Sequence, residues 1–418
     1  MQINWRKYIL IILGIIVSGI DICANEISEF RSIEDFSCID HDANVLLVPG
    51  EHELLLNLYS RIDRVMAMGQ GQISILHIGG SHVQAGIFSH RLRVNFRDFM
   101  GDYTGSKGII FPFRTLGTNS PSNYQMTTTG TWEKAKCVDR QPVLSLGLKG
   151  AALKTSDSNA SVYFDLKSNE DELWQYDRMI VLGEDENELV SPQLVCHGDT
   201  ISPESFENGA YVFQLLTEAS DGVVLFNGAN ESPVTFRGII PQNSNSGLVY
   251  HEVGINGASV PSWLKCSLFE KELTYIKPDI VILGIGINDA NVSPDKFNSD
   301  DFKQNYRSLL NRIKRVNPNV VFMFITNNDC KLNIRGRGKY NPNTLKVEQA
   351  FIDLAKEYNG VVWNLFRVMG GPESSKIWVE QELMHSDRIH FNRTGYEILG
   401  DLFFNAFVQN YRNVNIYE

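Results

Sequence analysis

Four short stretches of this 418-residue chain carry side chains that could act together. The first is "ISILHIGGSHVQAG" (73–86), where an apolar run stops at Gly79-Gly80 and delivers Ser81 at a strand–turn–helix junction. A hydroxyl at such a junction is a nucleophile if a base reaches it; standing alone it reads as an N-cap. The last is "SDRIHFNRTGY" (386–396), where Asp387 and His390 are three apart, just ahead of a helix expected to begin near Thr394. That spacing lets the carboxylate hold imidazole Nδ1 and leaves Nε2 free to take a proton. The competing reading is a solvated loop with Asp387 paired to Arg388. Between these two lie "GINGA" (254–258) and "GIGINDA" (284–290). The Gly257 N–H and the Asn288 carboxamide could donate to an oxyanion, although each also suits ordinary turn chemistry. His82 and Asp289, next to Ser81 and Asn288, are candidate pocket linings. His385 is a rival base, but the Asp-x-x-His spacing and the following helix fit His390. His77, inside the apolar run, reads as a core histidine.

These residues need a scaffold that brings strand ends together. Helical spacing of Leu54, Leu55, Leu58 and Ile62 leads into the strand at 73–78 and a helix over about 82–99. From 104 to 248 the chain is rich in Gly, Ser, Thr and Asn, with short apolar segments such as "ASVYFDL" (160–166), "AYVFQLL" (210–216) and "GVVLFNG" (222–228). Their spacing predicts a β-sandwich. Strands and helices alternate again from 249 to the end: strands in 278–286, 319–326 and 360–366, helices over 302–316, 344–358 and 395–411. This rhythm predicts an α/β fold with a parallel sheet sandwiched by helices, its first part at 25–103 and its second at 249–418, interrupted by the β-sandwich. In a parallel sheet the carboxyl ends of the strands line one edge, where ligands bind. All four stretches would lie there.

Composition narrows the function. With 49 acidic and 38 basic side chains the formal net charge is −11, so the overall field repels polyanions, and nucleic acid is not an expected partner. Arg6 and Lys7 followed by the uncharged "YILIILGIIVSGI" (8–20) and by Ala24 read as a signal peptide over 1–24 and an exported, periplasmic or extracellular protein. Thirteen apolar residues fall short of the roughly 20 that span a bilayer, so no membrane span is expected after cleavage. Lipid anchoring through Cys23 is the alternative. The six cysteines are scattered, with no C-x-x-C pair, which gives no metal-ligand spacing. "KLNIRGRGKY" (331–340) reads as a surface loop or as a basic rim for an acidic glycan.

Taken in order, the Ser81 block, Gly257, Asn288 within Gly-x-Asn-Asp, and Asp387-x-x-His390 before the last helix resemble the SGNH, or GDSL-type, hydrolases. The resemblance implies a flavodoxin-like parallel sheet, a Ser81–His390–Asp387 triad, and an oxyanion hole made by the Ser81 N–H, Gly257 and Asn288. "GGSHVQAG", "VGINGA" and "DRIHFNRTGY" are most similar to exported bacterial esterases that remove O-acetyl groups from peptidoglycan or other polysaccharides; in that subgroup the insertion, here 104–248, is carbohydrate-binding-like. Such an enzyme needs no metal or cofactor, and its partner is an acetylated polysaccharide. The family's first block usually reads Gly-Asp-Ser, and here Gly80 replaces the Asp. That departure leaves open a glycan-binding protein with a degenerate site, and an O-acetyltransferase also passes through the same acyl-enzyme.

Overall fold

The computed structural model describes residues 31–33, 36–101, 105–167, 174–185, 187, 190–334 and 337–415. The leader expected over 1–24, with Cys23, lies outside the described residues.

The central sheet has six strands: β1 (Leu46–Leu47), β2 (Gln72–Gly79), β3 (Gly247–Gly254), β4 (Ile280–Gly284), β5 (Val321–Ile325) and β6 (Val361–Trp363). Their spatial order is β1-β6-β5-β4-β2-β3. All neighbouring pairs are parallel except β1 on β6, a two-residue antiparallel edge that the sequence rhythm did not announce. The five parallel strands therefore have flavodoxin-like order, with the direction of winding reversing between β2 and β4. Side chains alternate between two apolar layers, as strands buried on both faces require. Ile73, Ile75, Ile280, Ile282, Val321 and Met323 face one layer; Leu76, Ile78, Val281, Leu283, Phe322 and Phe324 face the other.

Helices α1 (Glu53–Met68), α3 (Ile87–Phe99) and α8 (Arg393–Asn415) cover the first face, and α6 (Ser299–Val316) and α7 (Asn343–Tyr358) the second. The single helix expected over 82–99 is two: α2 (Ser81–Gln84) and α3, separated at Gly86. Gly86 has φ +75°, and a Cβ there would meet the Pro121 ring at 2.6 Å. The break frees α2 to point its first residue at the sheet edge.

Residues 125–242 form two antiparallel sheets. One has six strands, Ser205–Glu207, Ala210–Ala219, Tyr176–Asp185, Val234–Gln242, Ala151–Thr155 and Glu133–Lys136. The other has five, Gln125–Thr129, Ser161–Asp165, Asp221–Leu225, Gln193–Cys196 and Asp199–Ile201. Val162, Phe164, Leu194 and Val224 of one meet Leu153, Ile180, Phe213 and Phe236 of the other in a common core. That core is continuous with the second face of the central sheet, so the sandwich is welded to the α/β unit.

At the join, buried Glu252 accepts from Ser89 Oγ (2.7 Å), Arg93 (3.3 Å) and Asn123 Nδ2 (3.2 Å), while Lys149 Nζ donates to its backbone carbonyl at 2.6 Å. Burial pulls the Glu252 carboxyl upward, but Arg93, Lys149, the Ser89 hydrogen bond and Lys107 together hold it below the usual value. Desolvation lowers the Lys149 ammonium to about 8.

Cys38, Cys137, Cys196, Cys266 and Cys330 are buried free thiols. Trp174, Trp263, Trp363 and Trp378 are buried too, and half-buried Trp132 packs edge-on against Phe226. Among the described residues no helix is long and apolar enough to cross a membrane.

Candidate active site

Each of the four stretches leaves the carboxyl end of a strand or turns back onto that edge. Strand β2 ends at Gly79, where a Cβ would collide with Val83. Glycine at 79 lets α2 begin immediately, so Ser81 becomes its first residue and its N–H has no intrahelical partner. Gly80 is under no such pressure: its φ is −98°, and a Cβ there would lie 3.5 Å from Asn288 Nδ2, ordinary contact.

Ser81 Oγ lies 2.8 Å from His390 Nε2, and His390 Nδ1 lies 2.8 Å from Asp387 Oδ2. The other carboxylate oxygen accepts the N–H groups of Ile389 (2.8 Å) and His390 (3.0 Å), which folds the loop around the acid. Burial pulls Asp387 upward, yet the His390 ring and these two backbone donors together hold its carboxyl below the ordinary value. An ionised Asp387 fixes the imidazole with its proton on Nδ1, which leaves Nε2 as the acceptor.

The expected rival partner of Asp387 is turned elsewhere. Arg388, at φ +57°, sends Nε to Ser375 Oγ (2.9 Å), with its guanidinium near buried Asp329 (3.7 Å). Asn328 Nδ2 donates to Ile389 O at 3.3 Å, and His385 N donates to His390 O at 2.8 Å. Several elements thus hold the base in place. His385 lines the cleft, but the bond to Ser81 is made by His390.

Gly257 and Asn288 also reach this point. Residues 255–258 form a turn closed by Ala258 N to Ile255 O at 3.0 Å, with Gly257 at φ +78°. Among the described residues neither the Ser81 nor the Gly257 N–H donates to another protein group. Asn288 sits in the single turn α5 (Ile287–Ala290) after β4, and its Nδ2 donates one hydrogen to Ala258 O at 2.9 Å. The second amide hydrogen remains for a ligand. Together these groups border a cleft of about 660 Å³ that also takes in His82, Asn119, Asn256, Asn392 and Arg393.

Of the two expected linings, His82 is at the cleft and Asp289 is not. The His82 ring is 5.5 Å from that of His390, and its Nδ1 is 2.7 Å from Tyr396 Oη. Desolvation first, and His390 second, lower it to about 3, so it is neutral and adds no charge beside the base. Asp289 turns away and accepts the Val260 N–H on both oxygens at 3.2 Å, pinning the start of α4 (Val260–Leu264) behind Gly257. Burial raises it to about 6, against the pull of the Val260 N–H. His77 is a core histidine, as its place in the apolar run suggested, 2.8 Å from Tyr250 Oη.

Sequence reasoning passed over Gln84, Thr118, Asn119 and Asn256. Gln84 and Asn256 sit in quoted stretches, but nothing in their spacing shows that they meet. Asn119 comes from the segment leading into the antiparallel sheets, and only the folded chain places it at the cleft.

Comparison with known proteins gives a family likeness for part of the chain and a fold likeness for most of it. Residues 225–398 match the model of the GDSL-like lipase/acylhydrolase family. The matched stretch holds Gly257, Asn288, Asp387 and His390; Ser81 falls outside it, on the far side of the sandwich. A search of curated proteins finds no match in sequence. Among solved structures, a peptidoglycan O-acetylesterase is 21% identical, with a TM-score of 0.70 over 88% of this chain and 99% of that one. An acetyl xylan esterase is 18% identical over 39% of this chain and 80% of that one, with a TM-score of 0.30. A GDSL-like lipase from Parabacteroides merdae is 17% identical over 38% of this chain and 72% of that one, also at 0.30. Over residues 225–398 the chain is thus similar to the GDSL-like lipase/acylhydrolase family, and its fold is similar to that of a peptidoglycan O-acetylesterase.

Proposed function

We propose that this protein is an exported serine esterase that removes O-acetyl groups from a polysaccharide, peptidoglycan or another glycan, through an acyl-enzyme on Ser81. The observation that carries the reading is the unbroken relay from Ser81 Oγ to His390 Nε2 and from His390 Nδ1 to Asp387, each step 2.8 Å. It runs beside the Ser81 and Gly257 N–H groups, which have no other protein partner among the described residues.

In this mechanism His390 Nε2 takes the Ser81 proton as Oγ adds to the acetyl carbonyl. The resulting oxyanion is met by the N–H groups of Ser81 and Gly257 and by the free hydrogen of Asn288. Such preorganised donors are worth roughly 10²–10³ each in rate. The imidazolium, held by ionised Asp387, returns the proton to the leaving sugar hydroxyl. Water then enters by the same route in reverse and releases acetate. The cleft supports a glycan ester, because Asn119, Asn256, Asn392 and Arg393 give it a polar lining. The relay also argues against decay of the site at Gly80, since the triad contacts form without an aspartate there. Similarity of fold to a peptidoglycan O-acetylesterase over nearly the whole chain supports the polymer class.

The test is acetate release from O-acetylated peptidoglycan and from acetylated xylan, with wild-type protein and with Ser81→Ala. Release by the wild type alone is expected. Release by neither protein from any acetylated glycan, alongside glycan binding, would favour the binding-protein alternative.

A further inference from the structure

We propose that Gln84 is a positioning residue for the oxyanion hole, and that the Thr118–Asn119 strap makes the segment leading into the sandwich part of the catalytic apparatus. This rests on the esterase reading above.

The turn at 255–258 can exist in two forms. Positive φ at its third residue, Gly257, and negative φ at Asn256 identify type II. Type I keeps the same ends and rotates the central peptide by about 180°. That peptide carries the Gly257 N–H, so the rotation would turn this donor away from the cleft. Nothing lies within 4 Å of a Cβ at Gly257. The glycine therefore serves the backbone conformation and leaves the turn free to move unless its neighbour is held.

The neighbour is held. Gln84 is 2% exposed, and its Oε1 accepts the Asn256 N–H at 2.6 Å. Its Nε2 donates to Asn119 O at 2.8 Å and Thr118 Oγ1 at 3.0 Å. The Asn256 side chain reaches the same strap, with Nδ2 2.6 Å from Asn119 Oδ1 and 3.0 Å from Thr118 Oγ1. Residue 256 is thus fixed through its backbone and its side chain. Gln84 lies three positions after Ser81 in the same single-turn helix, so nucleophile and oxyanion donor share one reference. Only an amide fits: its oxygen must accept from Asn256 while its nitrogen donates to Asn119, whereas glutamate offers acceptors alone and methionine neither.

The experiment measures kcat, KM and thermal stability on an aryl acetate for full-length wild type, Gln84→Met, Gln84→Glu, Asn119→Ala, Gly257→Ala and the Gln84→Met/Gly257→Ala double variant. For Gln84→Met we expect kcat to fall at least ~10-fold with KM changed less than about threefold, the signature of a donor used only in the transition state. Gln84→Glu, which keeps the acceptor for Asn256, should lose less, and Asn119→Ala should lose kcat in the same manner. The double variant should be little worse than Gly257→Ala alone, because both changes misdirect the same N–H. A packing role would instead lower stability and leave the two losses multiplicative. Unchanged kcat in Gln84→Met, or multiplicative losses, would overturn the clamp. If Gln84→Met fails to fold, unchanged kcat in both Gln84→Glu and Asn119→Ala overturns it equally. Failure of the underlying reading is separate: it would appear as activity that survives Ser81→Ala.

Discussion

Gly79 and Gly80 are adjacent and chemically identical, yet the structure assigns them different constraints. A side chain at 79 meets Val83, whereas one at 80 meets only ordinary contacts. Gly79→Ala should therefore destabilise the fold by about 1–3 kcal/mol through overpacking, and Gly80→Ala by less than about 1 kcal/mol. Urea unfolding of the two variants checks this; equal losses would contradict it. The missing aspartate of the Gly-Asp-Ser block is thus a lost side chain and not a distorted backbone. Asp289 makes a separate claim. Its carboxyl is raised to about 6, so the unfolded chain gives up this proton at lower pH than the folded protein. Any stability held by the protonated form is complete below the ordinary aspartate value near 3.8 and is lost as pH rises to about 6. Asp289→Asn keeps an acceptor for the Val260 N–H but does not ionise. Relative to wild type it should gain up to about 2 kcal/mol between pH 4 and 7, measured by denaturant unfolding at both values. A constant difference across that range would contradict the assignment.

At the level of elements, the parallel strands and long helices were legible because their apolar periodicity is strong and unbroken. "PDIVILGIG" can only be a buried strand, and "FKQNYRSLLNRIKRV" only an amphipathic helix. The strands Gln125–Thr129, Glu133–Lys136 and Ala151–Thr155 escaped notice because "QMTTT" and "EKAK" carry few apolar side chains and "AALKT" has no alternation. Within "KLNIRGRGKY", Lys331–Ile334 pairs antiparallel with Arg337–Tyr340, two short strands hidden for the same reason. The helix break at Gly86 depends on Pro121, a contact that no local pattern contains. The four blocks of the site were legible individually as turns; their meeting required the strand order. The type II turn gives a prediction at this scale. Gly257→Ala must place a Cβ at φ +78°, at a cost of about 1–2 kcal/mol, or abandon that turn. We expect kcat to fall by roughly 10²-fold with KM nearly unchanged, as for loss of one oxyanion donor. Steady-state kinetics checks it, and a pure KM effect would contradict it.

The whole molecule is an α/β sheet unit and a β-sandwich that share one core. The sequence showed where the character of the chain changes, but not that the two parts are fused, because composition carries no information about which faces meet. The buried ionic group at their junction tests the fusion. Glu252→Gln leaves buried Arg93 without its carboxylate, while Lys149 keeps only the Glu252 backbone carbonyl, and should cost about 3–5 kcal/mol in a single cooperative unfolding transition. Two separate transitions would show that the sandwich unfolds by itself. The central claim concerns Ser81, and the most direct measurement is turnover of an aryl acetate with mass analysis of the acylated protein. Wild type should release acetate and carry a transient acetyl group on Ser81, and Ser81→Ala should lose at least ~10³-fold in kcat with no adduct. Equal rates for the two proteins, or an adduct elsewhere, would contradict the assignment.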